Sequence, residues 1–421
     1  MTTVRAASSA TQSVASAAAV VVRREAFPLR EEAVREVVLQ EVLLRVTRAV
    51  VAVAPAVMTT TTITHRAAVA EGEEDKFVFN PPCPLKRGTG LTLSGSPSPL
   101  LRGCPKGGGV KDPSKMAKLK SWIRAARPRT LLLSFSGVLL GAFLAIFEVP
   151  EPVEGPTPWL VILFCALTAV LLQILSNLAN DYGDFKKGTD GTNRVGPQRE
   201  MQSGAITEKE MKRGLLVTVL LCLFSGGLLL LATFIARRRM TDVYVFAALG
   251  VAAILAALFY TLGKHPYGYR GLGDLFCFLF FGWAAVAGTY YLSAPWFDSS
   301  VLLPASAMGF LSNAVLNINN MRDYENDKAS GKNSLVVKLG LKNAFVYHCL
   351  LIVGAFVSLT IYLILHHAAW YSYLYWLLFP LFLKDLIAIK KSKPEMLDPF
   401  LGRQVIHSFL LVVVFGVLFI I

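Results

Sequence analysis

The feature that most constrains this chain is a series of long apolar stretches that recur from Thr130 to the C-terminus. A helix needs about 20 apolar residues to cross a bilayer, and an open strand in lipid would leave backbone groups unpaired. We predict nine transmembrane helices, at 130–147, 157–180, 214–236, 241–262, 273–294, 300–320, 344–365, 370–390 and 404–421. The expected fold is an all-α, polytopic membrane protein.

The composition and the distribution of charge agree with this class. Hydrophobic residues make up 54% of the chain and charged residues only 17%, with a mean hydropathy of +0.52, unlike a soluble domain. A net charge of +14 could suit nucleic acid, but the basic residues fall in alternate loops, at 118–129, 186–213, 264–270, 322–342 and 390–403. That alternation is typical of cytoplasmic loops. We therefore expect a lipid bilayer as partner, and no nucleic acid.

One basic run contradicts the alternation. Arg237, Arg238 and Arg239 fall on the side that the other loops predict to be external. We interpret them as a tight turn whose long side chains reach the membrane surface.

Residues 1–115 differ in composition from the rest and are predicted to precede a transmembrane domain at 116–421. The first 24 residues are rich in Ser, Ala and Thr, and residues 81–109 are rich in Pro, Gly and Ser. Such a segment is a targeting peptide, a disordered extension, or sequence upstream of the true start. We favour the last interpretation, because Met116 and the basic segment after it resemble a natural beginning.

The second apolar stretch ends in an unusual polar segment. Gln173, Asn177, Asp181 and Asp184 are spaced to share one face of a continuing helix. Carboxylates at the end of a membrane helix are costly and indicate function by default.

A second polar segment ends the sixth stretch, with Asn319, Asp323 and Asp327. Like charges four residues apart destabilise a helix, so we expect a cationic group beside Asp323 and Asp327. In both segments an Asn precedes an Asp by four residues, which suggests duplicated units that face each other.

Paired carboxylates near Lys and Arg suit one kind of chemistry. Mg²⁺ is typically held by one or two carboxylates and completed by substrate phosphates. A diphosphate bound in this way becomes a good leaving group. An allylic cation left behind could be shielded by an aromatic-rich cavity.

These residues carry a resemblance to a known family. Asn180 to Asp184 and Asn320 to Asp327 are similar to the two Asp-rich motifs of UbiA-type membrane prenyltransferases. Supporting segments are 173–191, 196–199, 202–204, 271–274, 331–337 and 339–340. The resemblance covers Ala117 to the C-terminus, and it is strongest to the members that prenylate 1,4-dihydroxy-2-naphthoate in menaquinone synthesis.

The resemblance implies about nine helices around a central cavity capped by cytoplasmic motif loops. It implies a Mg²⁺ cofactor held by Asn177, Asp181, Asp184, Asp323 and Asp327, the four Asp being catalytic. It also implies Lys and Arg contacts to the diphosphate, for which the candidates are Arg129, Arg194, Lys264, Arg322 and Lys328. For Arg127 and Arg129 a membrane anchor is the competing interpretation, preferred for Arg127.

The implied substrates are a polyprenyl diphosphate and 1,4-dihydroxy-2-naphthoate. Attack by the ring carbon that bears the carboxylate, with loss of CO₂ and diphosphate, gives demethylmenaquinone. The implied location is the cell inner membrane, with the active site facing the cytoplasm, in preference to a plastid membrane.

The chain departs from the wider family pattern at two glycines. The general pattern has a third Asp where this chain has Gly188, and Gly331 stands in the second motif. Asp190 is the candidate replacement, so the ligand set stays open.

Four other interpretations of the acidic segments compete with this one. The acidic pairs could be a solvated helix end, or could bind the ion of a cation-coupled transporter. A transporter would carry polar residues across the membrane, whereas here they cluster on one side. A family member acting on another acceptor, such as 4-hydroxybenzoate or homogentisate, stays open, and a CDP-alcohol phosphotransferase lacks its expected motif.

Overall fold

The computed structural model describes residues 113–148, 158–189, 196–294 and 296–421. Among these residues, nine helices are long and apolar enough to cross a membrane. The predicted all-α membrane fold and the number of spans are therefore confirmed. Residues 1–112 of the predicted leader, together with Asp190 and Arg194, lie outside the described residues.

Most helices agree in position with the predicted spans. In chain order the helices are α1 (Pro113–Ala126), α2 (Pro128–Glu148), α3 (Pro158–Lys186), α4 (Glu208–Arg237), α5 (Met240–Phe259), α6 (Gly273–Ser293), α7 (Leu302–Arg322), α8 (Tyr324–Ala329), α9 (Leu335–Leu365), α10 (Phe379–Lys391) and α11 (Asp398–Ile420). However, α4 begins six residues and α9 nine residues before the predicted start, and Gly340 within α9 has non-helical backbone angles. Helix α3 continues six residues beyond the predicted end at 180, so the polar face of the second span is helical throughout.

Local sequence explains where two of these helices begin. Thr207 and Glu210 form a reciprocal capping box at the start of α4, which satisfies backbone N–H groups that the helix leaves free. The eighth span begins at Trp370 as predicted, but its first nine residues, Trp370–Leu378, form a 3₁₀-helix, and the α-helix α10 begins at Phe379. Pro380 explains the break, since proline fits the first turn of an α-helix but not its interior.

Helix α6 packs closely against α2 and α7 because glycines remove the side chains between them. A Cβ on Gly141 would lie 2.3 Å from the carbonyl O of Val286, and one on Gly282 would lie 2.6 Å from that of Ala305. Small residues allow such close backbone approach in membranes. The contact coincides with a π-helical stretch in α6, Phe278–Ala287, a geometry often found near functional sites.

Most of the apolar core lies in the C-terminal half, where α2, α6 and α7 pack with α9, α10 and α11. Phe356, Tyr375 and Phe415 are fully buried there. Buried residues make up 72% of the most apolar window of α7 but only 6% of that of α5. Helix α5 therefore contributes little to the core, although it lines the cavity described below.

Arg237 does not reach a membrane surface as the sequence suggested. Its Nε donates to Asp242 Oδ2 at 2.9 Å, and its Nη1 donates to the carbonyl oxygens of Tyr291 and Ala294 at 2.7 Å each. The guanidinium also lies 4.5 Å from the centroid of the Tyr291 ring. The earlier interpretation is wrong for Arg237, because a buried carboxylate and two free carbonyls offer it a complete set of partners.

Candidate active site

The first acidic segment lies on the last turns of α3, with its carboxylates turned inward. Asp181 is 2% exposed and Asp184 is fully buried. Asp181 Oδ1 accepts hydrogen bonds from Arg199 Nη1 at 2.8 Å and from Arg127 Nη2. Two guanidinium groups thus compensate a charge that would be costly to bury alone.

Asp184 has four partners, which come from different parts of the chain. Its Oδ2 lies 3.1 Å from Arg199 Nη2 and accepts from Asn180 Nδ2 at 3.2 Å. Its Oδ1 accepts from the Tyr269 hydroxyl at 2.8 Å. Lys332 Nζ is the most distant, at 3.9 Å from Oδ2.

The second acidic segment joins α7 to α8, and an arginine holds its first carboxylate. Arg322 donates from Nε and Nη2 to the two oxygens of Asp323, at 2.9 and 2.8 Å. The same guanidinium donates to Asn319 Oδ1 at 2.8 Å and to Asp398 Oδ1 at 2.5 Å. A two-pronged contact of this kind is among the strongest that a carboxylate makes.

Asp327 is compensated much less completely. It is 2% exposed, and its Oδ1 lies 3.5 Å from Lys332 Nζ. Its Oδ2 has no hydrogen-bond partner among the described residues. Burial raises the pKa of Asp327 to about 6, although Lys332 acts in the opposite direction. Burial alone would lower the pKa of Lys332, but Asp184 and Asp327 hold it above its usual value.

The prediction that the two acidic segments meet, with cations beside the second, is confirmed. Lys332 Nζ lies between Asp184 and Asp327. Asn326 Nδ2 also donates to the carbonyl O of Thr189 at 2.9 Å, which ties the loop after α3 to α8.

Both acidic helices end in the same turn. After Asp184 the chain turns at Gly188 (φ 70°), and after Asp327 it turns at Gly331 (φ 72°). In each turn the residue after the glycine donates its N–H to the Asp carbonyl O: the distance is 3.0 Å from Thr189 N to Asp184 O, and 2.8 Å from Lys332 N to Asp327 O. This is a common way for a helix to end, in which the residue after the last turn adopts the left-handed backbone conformation and is usually glycine. The two glycines therefore stand where the backbone requires them.

The side chain of Asn177 is hydrogen-bonded to the segment that connects α1 and α2. Its Nδ2 donates to the carbonyl O of Ala126 at 2.8 Å and to Thr130 Oγ1 at 3.0 Å. Its Oδ1 accepts from Gln173 Nε2 at 3.0 Å. Asn177 thus fixes the bend between α1 and α2, at which Arg127 has a positive φ of 53°.

Three of the predicted diphosphate contacts are either paired with another carboxylate or exposed. Arg129 Nη1 is 3.7 Å from Asp398 Oδ2. Lys264 is exposed, and Lys328 is exposed with its Nζ 5.9 Å from the Tyr324 ring centroid. By contrast Arg127, for which an anchor was preferred, is in direct contact with Asp181.

Three residues central to the site carried no role in the sequence predictions: Arg199, Tyr269 and Lys332. Tyr269 donates to Asp184, bonds to Thr189 Oγ1 at 2.6 Å, and lies under Lys187 Nζ at 4.2 Å from its centroid. Burial raises the pKa of Tyr269, so it stays a hydrogen-bond donor. Arg199 and Lys332 lie in segments that support the family resemblance, 196–199 and 331–337, whereas no sequence signal pointed to Tyr269.

A cavity of about 500 Å³ lies between helices α2 to α7 and is lined in part by cations that contact the acidic site. Its polar end carries Arg127, Arg199, Asn319 and Lys332. Most of its wall is apolar, and its aromatic lining residues are Phe246, Tyr260, Tyr267, Phe276, Phe280 and Phe281. Such a cavity can hold a molecule with an anionic head and a long hydrocarbon tail.

The oxygen donors fit a divalent cation only in part. Among the described residues, no group of three or more His, Cys, Asp and Glu side chains is placed to hold a metal ion. The buried, unpartnered Oδ2 of Asp327 is nevertheless a free hard ligand. This fits Mg²⁺, which takes one or two carboxylates and leaves other positions to water and phosphate.

Comparison with known proteins gives a consistent result. The profile of the UbiA prenyltransferase family matches residues 134–399. The chain is 43% identical over 300 residues to the 1,4-dihydroxy-2-naphthoate octaprenyltransferase of Haemophilus influenzae, covering 71% of this chain and 95% of the relative. For the Escherichia coli protein of the same name, identity is 43% over 293 residues, covering 69% and 92%.

Solved structures are similar at lower identity. A UbiA homolog from Archaeoglobus fulgidus, bound to GPP and Mg²⁺, is 15% identical with a TM-score of 0.47, covering 72% of this chain and 100% of that chain. A digeranylgeranylglyceryl phosphate synthase is 19% identical with a TM-score of 0.45, covering 71% and 99%.

Proposed function

Because this chain belongs to the UbiA prenyltransferase family, we propose that it transfers a polyprenyl group from polyprenyl diphosphate to 1,4-dihydroxy-2-naphthoate. The C–O bond of the donor breaks and diphosphate leaves. The ring carbon that bears the carboxylate forms the new C–C bond, and CO₂ is lost, which gives demethylmenaquinone. The observation that carries this proposal is the identity to two enzymes named for this acceptor, along nearly their whole length.

The geometry supports a diphosphate at the polar end of the cavity. Arg127, Arg199 and Lys332 line it there, and fixed cations stabilise the charge that develops on a leaving group. The apolar wall beyond them would take the polyprenyl chain and exclude water from an allylic cation. The aromatic rings in that wall can add cation–π stabilisation.

We propose Asp181, Asp184, Asp323 and Asp327 as the residues that hold Mg²⁺ with the donor, and Asp327 has the freest oxygen for this purpose. When bound, Mg²⁺ supplies Lewis-acid stabilisation of the diphosphate. Asn177, also predicted as a ligand, has one Oδ1 lone pair engaged by Gln173. We therefore place its contribution mainly in shaping the bend that carries Arg127.

The chain is a multi-pass membrane protein, and we propose that the acidic site faces the cytoplasm of a bacterial cell. The support is the concentration of Lys and Arg in the loops on the side of the two acidic segments. We further propose that residues 1–115 contribute nothing to catalysis, since 300 residues of this chain already match 95% of the Haemophilus influenzae relative and residues 1–115 differ in composition from the rest.

The test is an assay in membranes with Mg²⁺, 1,4-dihydroxy-2-naphthoate and octaprenyl diphosphate. We expect a prenylated quinol, with release of CO₂ and diphosphate. Asp181→Ala and Asp323→Ala should each lower the rate by about 10²-fold or more, whereas the exposed Lys393→Ala serves as a matched control and should not. Absence of product from the unaltered protein, or product only with 4-hydroxybenzoate or homogentisate, would refute the proposed acceptor.

A further inference from the structure

Lys332 is placed between the two acidic segments by the backbone itself. It follows Gly331 in the turn that ends α8, and its N–H donates to the carbonyl O of Asp327 at 2.8 Å. Its side chain is 7% exposed. The ammonium group lies 3.9 Å from Asp184 Oδ2 and 3.5 Å from Asp327 Oδ1.

The contacts of Lys332 are loose compared with those of the arginines nearby. Charge-assisted N–H···O bonds are about 2.7–2.9 Å long, and the contacts of Arg199 with Asp181 and of Arg322 with Asp323 reach 2.8 Å. Lys332 forms no contact of that length with either carboxylate. It therefore compensates the two charges through contacts that are longer than a normal charge-assisted hydrogen bond.

The position of Lys332 conflicts with a divalent cation at the same carboxylates. Mg²⁺ requires oxygen ligands at about 2.0–2.1 Å, and an ammonium group a few ångströms away would repel it. Lysine is a compact charge on a flexible four-carbon stem. Lys332 also lines the cavity, so a rotation of its side chain can move the ammonium from the carboxylates into the space that an anionic head would occupy.

We propose that Lys332 is a displaceable counter-ion: its ammonium compensates Asp184 and Asp327 before the metal arrives, gives up this place to Mg²⁺, and then binds the diphosphate. The inference rests on the proposed function for the identity of the anion. It gives one residue two successive partners, and it explains why the two acidic segments can stay close together before the substrate enters.

The experiment uses the full chain in detergent, without prenyl donor or acceptor. Thermal unfolding is followed against the concentration of Mg²⁺ alone, and then of inorganic diphosphate at fixed Mg²⁺, because ligand stabilisation reports the Kd. In Lys332→Met we expect Mg²⁺ to bind roughly tenfold more tightly, since a competing charge is gone. The same variant should bind inorganic diphosphate at least about tenfold more weakly than the unaltered protein.

Two further variants keep the result interpretable. Lys332→Arg retains the charge but can clamp a carboxylate with two parallel bonds, so Mg²⁺ should bind several-fold more weakly than in the unaltered protein. Lys187→Met removes a lysine that lies over the same Tyr269 ring, at 4.2 Å from its centroid, without lying between the carboxylates. It should change the Mg²⁺ affinity much less than Lys332→Met does.

An unchanged or weaker Mg²⁺ affinity in Lys332→Met would overturn the proposal, and would leave Lys332 a structural cation. Tighter Mg²⁺ binding with undiminished diphosphate binding would overturn its second half. Neither measurement requires turnover, so a failed prenyl-transfer assay would count against the proposed function alone.

Discussion

Two clusters of buried charge can be compared in this protein, and they differ in how completely their hydrogen bonds are satisfied. In the Arg237 cluster (Arg237, Asp242, Tyr291 and the carbonyl O of Ala294), both carboxylate oxygens are bonded, one by Arg237 at 2.9 Å and the other by the Tyr291 hydroxyl at 2.9 Å. In the acidic site, Asp327 Oδ2 is buried without a partner. A saturated cluster stabilises the fold, whereas an open one is available to a ligand.

This contrast shows which buried contacts lower the stability of the fold. Buried polar atoms are almost always hydrogen-bonded, and an unmade bond costs roughly 1–3 kcal/mol. In the acidic site, the incomplete contacts are those of Asp327 and Lys332, between the two segments that a diphosphate and its metal would join. We interpret them as a site whose bonds are completed by its substrate.

The largest expected effect is that of Asp327→Asn. Removing a buried, poorly compensated charge should leave the unfolding temperature of the metal-free protein unchanged or raise it, because the desolvation cost disappears. Prenyl transfer should nevertheless fall by about 10³-fold, since a charged ligand is lost. Thermal unfolding and the prenyl-transfer assay measure the two effects, and a clear loss of stability would remove the contrast between the clusters.

The next effect is that of Arg237→Ala. Leaving Asp242 buried without its cation should lower the free energy of unfolding by about 3 kcal/mol, while the KM for polyprenyl diphosphate stays the same. Arg239→Ala, an exposed neighbour, should stay within about 0.5 kcal/mol of the unaltered protein. If Arg237→Ala raises the KM under conditions where the variant is fully folded, the Arg237 cluster also contributes to substrate binding.

The smallest effect is expected at the matched glycine turns. Gly188→Ala and Gly331→Ala each force a side chain into the left-handed region, which costs about 1–2 kcal/mol, although a Cβ there would meet no atom within 4 Å. Both should also lower kcat/KM, because the turns position Asp184 and Asp327. Gly204→Ala is the control, because Gly204 also has a positive φ (73°) and space for a Cβ; it should lower the stability by a similar amount but the activity by less. Gly188→Asn should lower the stability less than Gly188→Ala does, since Asn enters the left-handed region more readily.

The sequence predicted the acidic segments well and their cations poorly. The spacing from Gln173 to Asp184 correctly indicated one helical face, because helical periodicity is a local property. The requirement for a cation near Asp323 and Asp327 was also confirmed, by Arg322 and Lys332. Lys264 and Lys328 are predicted diphosphate contacts because they lie near the motifs in the sequence, and both are exposed in the structure.

The membrane class, the number of spans and the two polar segments follow from the sequence, since apolar length and helical spacing are local properties. Which cation compensates which carboxylate depends on the tertiary structure. Arg127 and Arg199 reach Asp181 from 54 and 18 residues away, and such pairs depend on how helices pack rather than on any local pattern. The long distances from Lys332 to Asp184 and Asp327 likewise depend on the turns at Gly188 and Gly331, which come together only in the folded protein.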